Sequence, residues 1–121
     1  MARSPRKQNP ELTHAVHELR KAAREHGAPI WSAAADRLER ARHQVNPVNV
    51  GHLDRLTSAQ ETVLIPGKLL ADGEVHRPLT VAAFGWSEGA RTKVHAAGGH
   101  LVTIHELLKT RPDGAGVRIL G

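Results

Sequence analysis

The spacing of apolar residues changes character at Pro47, and this change limits what the 121-residue chain can fold into more than any other feature. Before it, Leu12, Ala15, Val16, Leu19, Ala22 and Ala23 recur at intervals of three and four in ELTHAVHELRKAAREH, the period of one helix face. Asn9-Pro10-Glu11 supplies a cap, a first helical residue and a favourable charge for the helix dipole, and Gly27 ends the helix. Pro29 starts a second helix, IWSAAADRLERAR, with an inward stripe of Trp31, Ala34, Ala35, Leu38 and Ala41. The short connection makes the two helices neighbours, and Pro47 stops further helix.

Beyond Pro47 the apolar runs are short: VNV (48–50), TVLI (62–65), LTVAAF (79–84), GHLVTI (99–104) and GVRIL (116–120) read as strands, with no long parallel sheet expected among them. Turns are expected at Pro66-Gly67, Asp72-Gly73, Pro78, Gly98-Gly99 and Pro112-Asp113-Gly114. Helices fit in two places only. Ser87-Glu88 caps SEGARTKVHAAG, which Gly98 terminates, and Thr103-Ile104-His105-Glu106 is a capping box that opens a short helix through Lys109. The expected class is mixed α/β (α+β): short strands and helices in an irregular stack, preceded by two N-terminal helices. Residues 1–8 read as a flexible basic arm and 9–121 as one domain, helical over 9–45 and mixed over 46–121.

A hydrophobic content of 40% supports a packed core, and with no cysteine that core cannot be held by disulfides or by cysteine-ligated zinc. Seventeen Lys and Arg against twelve Asp and Glu leave a net charge of +5, and twelve of the cations are arginine. Arginine matches phosphate geometry best, so the balance favours a nucleic-acid partner. With Phe84, Trp31 and Trp86 the only aromatics, recognition by stacking several single-stranded bases is disfavoured. No stretch is long and apolar enough to span a membrane, no leader-like apolar run follows MARSPRKQNP, and a cytoplasmic location is expected.

Pro66-Gly67-Lys68 is not a phosphate loop. That motif needs a glycine at 62 and Ser or Thr at 69, where this chain has Thr62 and Leu69. Pro-Gly instead suits the central positions of a type II turn, with a sharp bend presenting Lys68 outward. Among the nine histidines, His17-Glu18 and His105-Glu106 begin like a zinc-protease motif, but Lys21 and Lys109 replace its second histidine. His14 and His17 share a helix turn without a further ligand at a known spacing, so no metal site is assigned. Surface histidines gain charge in mild acid and would then reinforce polyanion binding. No nucleophile elbow, dinucleotide-binding turn or paired-acid arrangement is present, and neither catalytic residues, a cofactor nor a small-molecule substrate is expected.

Basic clusters remain. Arg37 and Arg40 share a face of the second helix, Arg42 and His43 extend it, and Asn46, Asn49, His52 and Arg55 continue the run, interrupted by Asp36, Glu39 and Asp54. Arg91, Lys93 and His95 form a second cluster, and the arm carries Arg3, Arg6 and Lys7 without an acid. Several such patches suit a protein wedged between phosphate strands.

The runs VNVGHLDRL, ETVLIPGKLLADG, LTVAAFGWSEGARTKVHAAGGHLVTIHELL and RPDGAGVRILG, in this order, resemble the archaeal and eukaryotic large-subunit ribosomal protein family L-eighteen-e, a relative of bacterial L-fifteen. The resemblance covers nearly the whole chain from Asn9 and looks archaeal. Its most specific pieces are Val-Asn-Val-Gly, Pro-Gly-Lys with the following Asp-Gly, and Ala-Gly-Gly. It implies a structural constituent of the large subunit that binds large-subunit ribosomal RNA beside neighbouring ribosomal proteins, without catalysis or cofactor. It also implies that Arg40, Arg42 and Asn49 match basic or polar family positions and that Lys68 matches the lysine of the family turn. Ala41, where the family pattern has proline between basic residues, and GWSEGA depart from the family. The alternative from another class is a DNA-binding regulator, since two short helices joined through Gly27 with Arg37 and Arg40 on the second faintly resemble a helix-turn-helix.

Overall fold

The computed structural model describes residues 10–41 and 47–120. The elements run α1 (Pro10–His26), α2 (Pro29–Ala41), β1 (Val48–Asn49), α3 (Val50–Leu56), β2 (Thr62–Leu70), β3 (Thr80–Trp86), α4 (Glu88–Ala96), β4 (His100–Val102), α5 (Ile104–Thr110) and β5 (Val117–Ile119). The class is mixed α/β, as the periodicity implies. In place of an irregular stack, the strands form one sheet of order β1-β2-β3-β4, with β5 also paired to β2, and every pairing is parallel.

The sheet is parallel because its strands are apolar on both faces. Along β2, Leu64 points into one core while Val63 and Ile65 enter the other; along β3, Ala82 joins the first core and Val81 and Ala83 the second. Such two-sided strands are stable only when covered on both faces. One core joins Leu64 and Ala82 to Leu12, Leu19, Trp31, Leu38, Ile104 and Leu107, so α1, α2 and α5 cover that face. Val50, Leu53, Ala90 and Val94 bring α3 and α4 to the other. Right-handed crossovers dictate this division. Passing from β1 to β2 and from β3 to β4 moves the same way across the sheet, and α3 and α4 lie on one face; passing from β4 back to β5 reverses the direction, and α5 lies opposite.

The expected Pro66-Gly67 turn is not formed. Both residues lie inside β2, where Ile65 pairs with Ala83 and Lys68 with Gly85, so β2 holds one residue more than β3 between the two pairings. A bulge is a place where a strand tolerates proline. Long-range pairing with β3 therefore overrides a local turn preference. Val50, expected at the end of a strand, instead opens α3, a helix that sequence periodicity missed because it is one of seven residues and contains Gly51.

Local signals hold where they are self-contained. Ser87 Oγ accepts from Ala90 N–H, and Thr103 and Glu106 form the reciprocal capping box. At the end of α4, Gly98 N–H reaches His95 O and Gly99 N–H reaches Val94 O, with Gly98 at φ +86°. These bonds satisfy the last carbonyls of the helix.

Candidate nucleic-acid interface

Because β1 pairs only with Leu69 and Leu70, Asn49 sits at the carboxyl edge of the sheet beside the end of β2. Lys68 lies on β2 just before, exposed, opposite Gly85. A methyl group added at Gly67 or at Gly85 would meet nothing within 4 Å, so the strand surface around Lys68 is open. The 72–73 turn follows immediately. Asn49 Oδ1 accepts from Asp72 N–H at 3.1 Å, and Gly51 N–H donates to Asp72 O at 2.9 Å. Asn49 therefore orders this edge. Lys93 of α4 ties down the same turn, its Nζ donating to Ala71 O at 2.8 Å and to Gly73 O and lying 3.3 Å from Glu74.

The cations thus separate into two sets. In the first, charge is committed to the fold. Arg20 bridges α1 to α2 through Asp36 at 3.2 Å and Glu39 at 2.9 Å, so two of the acids that interrupt the basic run of α2 are engaged from behind. Arg77 donates to Asp54 O and Thr57 O, carbonyls at the end of α3. Arg118 pairs with Glu61 at 3.1 Å; Arg91, by contrast, pairs with Glu88 at 3.4 Å within α4, an exposed contact that ties no second element. In the second set, Arg40, Arg55 and Lys68 are exposed and have no hydrogen-bond or ion-pair partner among the described residues, and the same holds for Arg24 of α1 and Lys109 of α5. Arg37 is exposed on α2. Arg3, Arg6, Lys7, Arg42, His43 and Asn46 lie outside the described residues.

Sequence reading missed a polar cluster under the loop between β2 and β3. Asp54, 9% exposed, accepts from His76 N–H at 3.0 Å and lies 2.9 Å from His76 Nδ1, with Arg77 at 3.9 Å. The His76 side chain first, then its backbone N–H, holds the Asp54 carboxyl below the usual carboxylate range. Glu61 is lowered too, by Ser58 N–H first and then Arg118. Nothing in the sequence places residues 54 and 76 together; only the parallel topology does. No group of three or more metal-ligating side chains occurs among the described residues, and no described helix is long and apolar enough to cross a membrane. The result is a solid domain with exposed, unpaired cations at its carboxyl edge and on α2 and α3.

The sequence profile described as ribosomal proteins 50S-L15, 50S-L18e and the 60S protein L-twenty-seven-A matches residues 30–102. The chain is 48% identical over 117 residues to the large ribosomal subunit protein eL18 of Methanopyrus kandleri, covering 93% of this chain and 92% of that protein. It is 39% identical over 120 residues to the protein of the same name from Methanoregula boonei, covering 99% of each. The Pyrobaculum aerophilum protein of that name is 44% identical over 112 residues, covering 93% of this chain and 92% of its own length.

Proposed function

The chain belongs to the ribosomal protein family of 50S-L15, 50S-L18e and the 60S protein L-twenty-seven-A, and on that premise we propose that its unpaired cations lie against phosphates of the large-subunit RNA. As a family member it is a structural constituent of the large ribosomal subunit, associating with ribosomal RNA and other ribosomal proteins, and it is not an enzyme.

The observation that carries the residue assignment is the division of the cations. Arg40, Arg55 and Lys68 are exposed and unpartnered among the described residues, whereas Arg20, Arg77, Lys93 and Arg118 hold elements together. An unpaired guanidinium or ammonium reaches an RNA phosphate without first breaking a protein contact. Arg37 and Arg91 flank these groups on α2 and α4 and join the contact, Arg91 by exchanging Glu88 for phosphate. Asn49 and Lys93 act one step back, shaping the edge. Arg3, Arg6, Lys7, Arg42 and His43 add phosphate contacts from the segments on either side of the helical pair, and residues 9–121 act as one RNA-bound domain. The regulator alternative gains no support: α1 and α2 form one layer of a core shared with the sheet and α5, and the relatives above are all large-subunit proteins.

Amine-directed labelling tests the assignment. Lys68 in intact large subunits is protected relative to the free chain; labelling at the same rate in both contradicts it.

A further inference from the structure

Four of the nine histidines converge in an open groove between α1 and α5, on the face of the sheet opposite α3 and α4. The groove, about 340 Å³, is lined by His14, His17 and His26 of α1 and by His105 of α5. Glu18 stands at its centre, its Oε2 2.6 Å from His105 Nδ1 and its Oε1 3.6 Å from His14 Nε2. Lys21 lies 3.9 Å from Glu25, and Lys109 faces them from α5. The two lysines balance the two glutamates, so the sign of the groove is set by its four imidazoles: neutral when they are deprotonated, up to +4 when all carry a proton. Histidine changes charge between about pH 5 and 8.

We infer that this groove is a second phosphodiester-binding surface, separate from Arg40, Arg55 and Lys68, whose grip on an RNA backbone tightens as pH falls from about 7.5 to 5.5. The inference rests on the ribosomal reading for its choice of ligand and on the groove's own chemistry for the rest. An apolar anchor, which a protein partner would need at the centre of its interface, finds only Ala22 and Leu108 here. A phosphate backbone needs only donors along an open channel. Glu18 organises the groove: one carboxylate oxygen stands beside each of two imidazoles and leaves each ring's other nitrogen free of it.

The test measures affinity of the full chain for a mixed-sequence double-stranded RNA as a function of salt at pH 7.5 and pH 5.5. Each protonated histidine that meets a phosphate steepens the salt dependence by roughly 0.7–0.9 log units per log of salt, about three-fold in affinity for a four-fold change in salt. The expected result is a steeper slope at pH 5.5, more than half of the increment being lost in His14→Gln/His17→Gln/His105→Gln and retained in His100→Gln. Lys21→Gln/Lys109→Gln, which leaves the His105–Glu18 contact intact, weakens binding at pH 5.5 and keeps the assay informative should the triple variant unfold. The idea is overturned by equal slopes at the two pH values, by a triple variant that keeps half or more of the increment, or by poly-glutamate showing the histidine-dependent pH response while RNA does not. RNA binding at pH 7.5 tests the ribosomal reading alone, and the increment tests the groove; a chain that binds RNA at neither pH loses both.

Discussion

Gly51 and Gly73 meet backbone to backbone: a Cβ built on Gly73 would fall 2.5 Å from Gly51 Cα and 2.8 Å from its nitrogen. The contact joins the start of α3 to the turn after β2, and Asn49 and Lys93 seal it by hydrogen bonds to Asp72 N–H and Gly73 O. Two pieces of sequence more than twenty residues apart, Val-Asn-Val-Gly and Asp-Gly, are therefore one structural joint.

Gly73→Ala combines a backbone clash with a φ of +92°, and its expected cost is roughly 2–4 kcal/mol. Gly67→Ala, whose methyl meets nothing within 4 Å, should change stability by less than about 0.5 kcal/mol. Urea unfolding of both variants checks the contrast: the midpoint falls for the first alone, with the slope unchanged.

Lys93→Met removes an ammonium that serves the joint. It should lower stability by about 1–2 kcal/mol through the lost bonds to Ala71 O and Gly73 O. The salt dependence of RNA binding should stay as in the parent chain. A variant of normal stability with a shallower salt slope would reverse this assignment and make Lys93 a phosphate contact.

Trp31 is wholly buried, and its Nε1–H donates to Pro112 O at 2.8 Å, clamping the loop before β5 onto the start of α2. Trp31→Phe leaves that carbonyl without its donor and leaves space beside Gly114, whose added Cβ would lie 3.6 Å from Trp31 Cζ2. The expected loss is about 2–3 kcal/mol. A thermal midpoint equal to that of the parent chain would show that the clamp contributes nothing.

Asp54 and Glu61 have depressed carboxyl pKa values in the folded chain. A group lowered on folding contributes stability above its unfolded pKa, about 3.9 for Asp and 4.3 for Glu, and that stability is lost as pH falls through the folded value. Stability should therefore drop below about pH 4.5. Asp54→Asn should lower stability at pH 7 by roughly 1–3 kcal/mol and flatten part of the acid slope, while Glu61→Gln flattens the remainder. Unfolding free energies measured from pH 7 to pH 2.5 decide it: an Asp54→Asn curve parallel to that of the parent chain would refute the role of the Asp54–His76 contact.

What the sequence made legible was local. The Thr103–Glu106 capping box, the Ser87 cap and the Gly98 terminator each act within a few residues, and all three form as read. What stayed hidden depends on partners distant in sequence. Pro66-Gly67 obeys β3 rather than its own turn preference, Gly51 is helical beside Gly73, and the order of the parallel strands follows from crossover handedness, which no short window contains. The candidate site divides in the same way. That Arg40, Arg55 and Lys68 are basic was plain, but that Lys93 is held by Ala71 O and Gly73 O required the fold.

The central claim is that the unpaired cations, rather than those built into the fold, hold the RNA. Its most direct test is the slope of log affinity against log salt for large-subunit ribosomal RNA, comparing the parent chain with Arg40→Gln/Arg55→Gln/Lys68→Gln. Three lost phosphate contacts predict a slope shallower by about 2–2.7 with folding stability unchanged. A slope identical to that of the parent chain would contradict the account.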